Sequence, residues 1–347
     1  MSGLTPQGYF VIRNELADSL LEGSHQLAGV PEPDRRRVLH TALEVVPEAA
    51  EHLRPYPVLY ADGESSASRL AFSCLSAAAT FPDAAREQII DLAVLTMILF
   101  GIDDIADGVA GPSAERDHGA IFAALPAILG RTSRAPAPGS PVEQILAAWS
   151  RWCDRFHGYA GAASHLSRLS RHVELVGEAM GRERAWAEAR DPWPSYADYL
   201  ANGVHSITYP VWWVAALAVC GPEPAREAHW ASIEPATHLG AACMRLANDI
   251  RTFEREKAEG KPNSISILQR EGLSTREAVA RVTAHIDELD TAFRRALAGL
   301  PAELAGIAAG QIRSVSFNGR WYLARDTHAY TVGELADDAR THVASPR

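Results

Sequence analysis

Apolar residues recur at three- and four-residue spacing through most of the chain, and alternating β-branched runs of strand length are nearly absent. That period lines up apolar side chains on one face of successive α-helices. Alanine, the strongest helix former, is abundant. The pattern predicts an all-α protein. Proline and glycine clusters supply the helix ends, at Arg54–Pro57, Phe81–Asp83, Arg131–Pro141, Asp191–Pro194, Cys220–Pro224 and Gly260–Asn263. Only RTSRAPAPGSP, Arg131–Pro141, has the composition of a linker. It reads as a domain boundary or as a loop between two helices of one bundle. The loop is favoured, because the helices before it would otherwise lack partners. No repeat recurs at a period of about 20 to 50 residues, which disfavours a helical solenoid.

The longest apolar stretches, Ile89–Ile102 and Val211–Cys220, are shorter than the roughly 20 residues of a spanning helix and read as buried core helices. The opening MSGLTPQGYFVIRNEL has no basic segment followed by an apolar one, so no secretory leader is expected. Four cysteines, Cys74, Cys153, Cys220 and Cys243, stand far apart and form no CxxC pair. They read as core fillers in a reducing compartment, and a cytoplasmic location is expected. The chain has 33 Lys and Arg against 43 Asp and Glu, a net charge of −10, and 47% apolar residues. That apolar share supports a core and excludes global disorder. An acidic balance without a basic block argues against nucleic acid or an anionic membrane as the main partner.

Two clusters of polar residues interrupt this picture. In Leu99–Asp107, LFGIDDIAD, three carboxylates end an otherwise apolar helix. Asp103 and Asp107 are four apart, so they share a face at about 6 Å and repel each other. A divalent cation would offset that repulsion, and Mg²⁺ takes such carboxylates together with substrate phosphates. A solvated helix end before Gly108 would look similar. In Cys243–Glu256, CMRLANDIRTFERE, Asn248, Thr252 and Glu256 fall at i, i+4 and i+8. An amide oxygen, a hydroxyl and a carboxylate then line one stripe, as oxygen ligands of a hard cation should. Arg255 and Lys257 flank the stripe and could meet phosphate oxygens. An amphipathic helix with ordinary surface charge is the alternative.

Together the two stripes resemble the metal-binding motifs of class I terpene synthases. DDIAD matches the aspartate-rich DDxxD motif, and NDIRTFERE matches (N,D)D(L,I,V)x(S,T)xxxE in every defining position. The roughly 145 residues between them suit that family. The resemblance covers about residues 55–335. It implies a single α-domain helical bundle over residues 1–347, with an N-terminal segment and a C-terminal tail flanking that core. It also implies three Mg²⁺ ions, held by Asp103 and Asp107 on one side and Asn248, Thr252 and Glu256 on the other, with Asp104 in support. The ions would trigger loss of diphosphate from a prenyl diphosphate, and the released diphosphate would serve as base.

Two segments depart from the bacterial pattern. Glycine, Gly203, stands where a diphosphate-sensing arginine is usual; Tyr199–Ser206, YLANGVHS, instead resembles labdane-related diterpene synthases. Near the C-terminus the usual Arg-Tyr pair appears as Ala329-Tyr330, with Arg325 retained upstream. The resemblance then implies Arg255, Arg325 and Tyr330 as diphosphate contacts, and a broken helix before Pro210. Asn202 and Ser206 would line the pocket there, unless they simply bond between helices. Aromatic faces stabilise carbocations without trapping them, so Phe100, Trp212 and Trp321 are the pocket candidates, with core packing as their alternative. A twenty-carbon substrate is expected, linear or a bicyclic copalyl type made by a separate class II enzyme, since the chain has no DxDD. A sesquiterpene synthase acting on farnesyl diphosphate, an elongating prenyl synthase and a non-catalytic helical binding protein are the alternatives. A homodimer is compatible with all of these.

Overall fold

The computed structural model describes residues 27, 29–60, 64–106, 118–188 and 192–324, and among these no residue is in a strand. The helices are α1 (Glu32–Leu53), α2 (Glu64–Thr80), α3 (Arg86–Ala106), α4 (His118–Leu129), α5 (Pro141–Phe156), α6 (Ala162–Ala187), α7 (Tyr196–Ser206), α8 (Tyr209–Cys220), α9 (Glu227–Glu259), α10 (Ser264–Arg270), α11 (Thr275–Ala298) and α12 (Ala305–Ala324). Local signals set several ends. Ser140 and Glu143 form a capping box ahead of α5, with Pro141 in its first turn, and Ser274 and Glu277 do the same for α11. Gly260, at φ 72°, closes α9 in the left-handed region that glycine enters at little cost.

The helices α3 and α8 are apolar around nearly their whole circumference and form the centre of the bundle. The helices α1, α2, α5, α6 and α9 pack against one or both of them, α4 packs on α5 and α6, and α10 and α11 form a second apolar cluster with α9. RTSRAPAPGSP connects α4 to α5, and these two helices pack together, with Trp149 Nε1 donating to Leu125 O at 2.9 Å. The core also begins earlier than residue 55. The helix α1 buries Val38, Leu39, Ala42, Val45, Val46, Ala49 and Leu53 against α2 and α3. Cys74, Cys153 and Cys243 are buried free thiols, and Cys220 is partly buried.

Tyr196–Cys220 has the length and apolarity of a membrane span, yet 72% of its most apolar window is buried inside the bundle. It is also broken. Thr208 has φ 59°, so α7 stops at Ser206 and α8 restarts at Tyr209 with Pro210 in its first turn.

The helices α2 and α3 run antiparallel, and this sets the levels of the interior. Arg69 of α2 meets Asp104 of α3 at the polar end. One turn inward, the Phe72 and Phe100 rings lie 6.0 Å apart. The helix α12 joins the same levels: Phe317 stacks on Phe72, Trp321 lies tilted against it, and at the opposite end Arg313 donates to Thr80 O at 2.8 Å.

Candidate metal and substrate site

One cavity of about 570 Å³ opens between the C-terminal ends of α3 and α9. Asp103 and Asp104 line it from α3, and Asn248, Thr252 and Glu256 line it from α9. The two stripes, distant in sequence, therefore face one space. Asp107 lies outside the described residues, as do Arg325 and Tyr330.

The α9 wall is held by a buried network. Thr252 Oγ1 donates to Asn248 O at 3.0 Å, leaving its lone pairs for a further partner. Asn263, fully buried, donates to Glu256 Oε2 at 2.7 Å and to Asp249 O at 2.9 Å. Its own Oδ1 accepts from Ile265 N at 2.9 Å and so caps α10. Asp249 does not line the cavity. Its fully buried carboxylate accepts from Tyr199 Oη at 2.9 Å and from Ser264 N at 3.2 Å, and pairs with Arg245 Nε at 3.1 Å. Burial, with the Asp249 charge second, pushes the Glu256 carboxyl up to about 7. Such a group holds its charge best when a cation faces it.

The α3 wall is looser. Asp103 is exposed at the cavity rim, and Asp104 forms a two-pronged pair with Arg69, at 2.5 and 2.9 Å. The Arg69 guanidinium lies 5.1 Å from the centre of the Phe100 ring.

Among the described residues no three His, Cys, Asp or Glu side chains converge at metal-ligand spacing. The donors present are a mixed oxygen set of amide, hydroxyl and carboxylate, with Asp103 across the cavity. That chemistry suits a hard divalent cation and disfavours zinc or a softer metal.

Sequence reasoning missed the most buried charge in the cavity wall. Arg245 is only 9% exposed, yet it lines the cavity one turn below Asn248. It donates to Ser206 Oγ at 3.3 Å and pairs with Glu183 at 3.3 Å and Asp249 at 3.1 Å, with its guanidinium 4.9 Å above the Tyr199 ring. Gly203 explains how it fits. A Cβ at that position would come within 2.8 Å of Arg245 Cγ, so the missing side chain is the space the arginine stem occupies. The sequence did carry a signal: an arginine inside the apolar run ACMRLA, three residues before Asn248.

The remaining expectations divide. Phe100, Ser206 and Trp212 line the cavity. Asn202 does not: its amide bonds Arg182 Nε at 2.6 Å, Ala179 O at 3.0 Å and Glu183 at 3.3 Å, so it joins α7 to α6. Trp321 does not either. It is 1% exposed and packed between Phe72 and Phe317, at 5.0 and 5.3 Å. Arg255 reaches the rim, but its side chain is 55% exposed and 4.0 Å from Glu259.

Comparison with known proteins follows the same lines. The linalool/nerolidol synthase structure from Streptomyces clavuligerus superposes with a TM-score of 0.63 at 22% identity, over 79% of this chain and 94% of that one. The 2-methylisoborneol synthase structure from Streptomyces coelicolor A3(2) gives 0.65 at 19% identity, over 87% and 93%. At such identities these two establish a shared fold. In sequence, R-linalool synthase of Streptomyces clavuligerus is 29% identical over 249 residues, 69% of this chain and 72% of that protein. Cis-abienol synthase of Nicotiana tabacum is 32% identical over 110 residues, 31% of this chain but only 14% of that protein, so the chain spans a small part of such plant relatives. Residues 95–289, which hold both stripes, match the family model described as terpene synthase family 2, C-terminal metal binding, and the chain belongs to that family.

Proposed function

We propose that this protein is a Mg²⁺-dependent class I terpene synthase, which ionises a prenyl diphosphate and converts the carbocation to a terpene. The observation that carries this reading is the convergence of Asp103 with Asn248, Thr252 and Glu256 on one cavity whose middle level is aromatic. Bound divalent cations, three by the family resemblance, would supply the positive charge that makes diphosphate a good leaving group. The chain's own residues do the rest. Asn248, Thr252 and Glu256 would present oxygen ligands, with Asn263 fixing the Glu256 carboxylate. Arg245 would meet the diphosphate from inside the cavity and Arg255 from its rim, with Arg325 and Tyr330 as further contacts. Below them, Phe72, Phe100 and Trp212 line the cavity, and their rings would stabilise a carbocation there.

The Tyr199–Ser206 segment supports a twenty-carbon substrate, linear or bicyclic. A ten-carbon substrate is the second reading. It is favoured by similarity to the linalool/nerolidol synthase, whose structure was determined with 2-fluorogeranyl diphosphate. Incubating the purified protein and Mg²⁺ with geranyl, farnesyl, geranylgeranyl and copalyl diphosphates decides between them. Inorganic diphosphate and a terpene from one or more substrates are expected. A requirement for isopentenyl diphosphate would mean an elongating enzyme, and release from none of them would refute the reading.

A further inference from the structure

Asn202 and Ser206, four residues apart on α7, share one face of that helix and serve one carboxylate. Glu183 Oε1, on α6, accepts from Ser206 Oγ at 2.6 Å and from Asn202 Nδ2 at 3.3 Å. Arg245 Nη1, from α9, lies 3.3 Å from the same oxygen. Arg182, next to Glu183, donates through Nε to Asn202 Oδ1 at 2.6 Å and so fixes the amide that holds Glu183. Both α7 residues are buried. Glu183 is therefore held in place by groups from α6, α7 and α9.

Glu183 and Asp249 are different kinds of partner for Arg245. Asp249 is fully buried and does not line the cavity, whereas the Glu183 side chain is 26% exposed and lines it together with Arg245. The Asp249 carboxylate by itself offsets the single positive charge of Arg245. Glu183 then adds a negative charge to the wall that a diphosphate is expected to meet. A neutral glutamine would also accept from Ser206 and join the same helices, so the tie between them does not require the charge. In a pocket partly shielded from water, like charges sharing one guanidinium repel more strongly and are screened less than on the surface. A fixed carboxylate beside the cation of an anion site therefore selects by repulsion.

We propose that Glu183 is a specificity-determining residue: a resident anion on Arg245 that admits a diphosphate only together with its divalent cations. This rests on the terpene synthase reading above. A bare diphosphate or a monophosphate has to compete with Glu183 for the Arg245 guanidinium, and it meets the carboxylate charge while doing so. A diphosphate that carries Mg²⁺ brings positive charge of its own, which offsets the carboxylate and lets the two anions share Arg245. Asn202 is then a positioning residue that acts on the ligand only through Glu183.

The test measures binding rather than turnover. Inorganic diphosphate is titrated into the purified full chain by calorimetry, once with Mg²⁺ and once with a chelator, and melting temperatures are recorded beside each titration. Wild type should bind diphosphate with Mg²⁺ and about a hundredfold more weakly without it. Glu183→Gln loses only the charge and should tighten metal-free binding about tenfold or more. Glu183→Asp keeps the charge and should retain the wild-type metal requirement, which a merely structural role for the longer side chain does not predict. Glu183→Leu, which fills the same space without charge, decides the matter if the glutamine variant does not fold. Metal-free binding by wild type as tight as with Mg²⁺, or uncharged variants that bind bare diphosphate no better than wild type, overturn the filter and leave the synthase reading intact. Absence of binding in wild type even with Mg²⁺ also overturns the filter, and overturns the synthase reading with it if none of the four prenyl diphosphates is turned over.

Discussion

The two acidic walls of the cavity are built differently. On α9 the donors Asn248, Thr252 and Glu256 are backed by a buried layer of Asn263, Asp249, Tyr199 and Arg245. On α3 the carboxylate Asp103 is exposed at the rim, and Asp104 beside it pairs with Arg69. One wall is therefore set by the fold before any cation binds, and the other is held near the surface, free of a heavy desolvation cost. The buried Arg245–Asp249 charges behind the first wall are tied to stability more closely than the exposed Asp103 charge of the second. That contrast can be broken in several ways.

The largest effect should separate the walls by stability. Asp249→Ala removes a partner from a fully buried charge network and should cost about 3–5 kcal/mol. Asp103→Ala should change stability by no more than about 0.5 kcal/mol. Urea denaturation of both variants checks this; equal losses would erase the distinction.

The next comparison is between the two arginines. Arg245→Ala should lower kcat/KM about a hundredfold, because it removes a charge-assisted contact from a closed pocket. Arg245→Lys should recover only part of this, since lysine lacks the planar fork. Arg255→Ala should cost less than about fivefold, as expected for an exposed side chain in a surface ion pair. Steady-state kinetics on the three variants orders them, and a larger loss at Arg255 would move diphosphate capture to the rim.

A subtler test loosens the prebuilt wall without touching a donor. Asn263→Ala frees the Glu256 carboxylate and removes the cap of α10. The Mg²⁺ concentration for half-maximal activity should rise about tenfold, with a stability loss of about 1 kcal/mol. An unchanged Mg²⁺ dependence would show that Glu256 needs no such support.

The smallest expected effect lies outside the cavity. Burial, reinforced by His238 and His205, lowers His172 to about 3. An unfolded histidine titrates near about 6.5, so between these values the unfolded chain binds more protons and stability rises with pH. The contribution is complete above about 6.5 and is lost progressively as pH falls toward about 3. Melting temperatures from pH 7 to 5 should fall less steeply in His172→Phe than in the wild type.

Much of this architecture was legible in the sequence because it is encoded locally. Helix ends followed proline and glycine, and the Asn248, Thr252 and Glu256 stripe followed from helical spacing. What escaped depends on approach between helices. The resemblance put Asn202 in the pocket without showing that α6 would consume its amide. Trp321 was a candidate for its aromatic ring, and nothing local showed that it would pack against Phe72 and Phe317 in the core instead. The reading of Gly203 as an absence missed its use, because the arginine that fills the space comes from α9, more than forty residues later.

The central claim is that metal held between Asp103 and the α9 stripe ionises a prenyl diphosphate. It is tested most directly by measuring inorganic diphosphate released from the best substrate as Mg²⁺ is titrated, in wild type and in Glu256→Gln. Release should require Mg²⁺, and the glutamine variant, folded to the same melting temperature within a few degrees, should lose activity by about a thousandfold or more. Mg²⁺-independent release, or a Glu256→Gln variant of wild-type activity, would contradict the account.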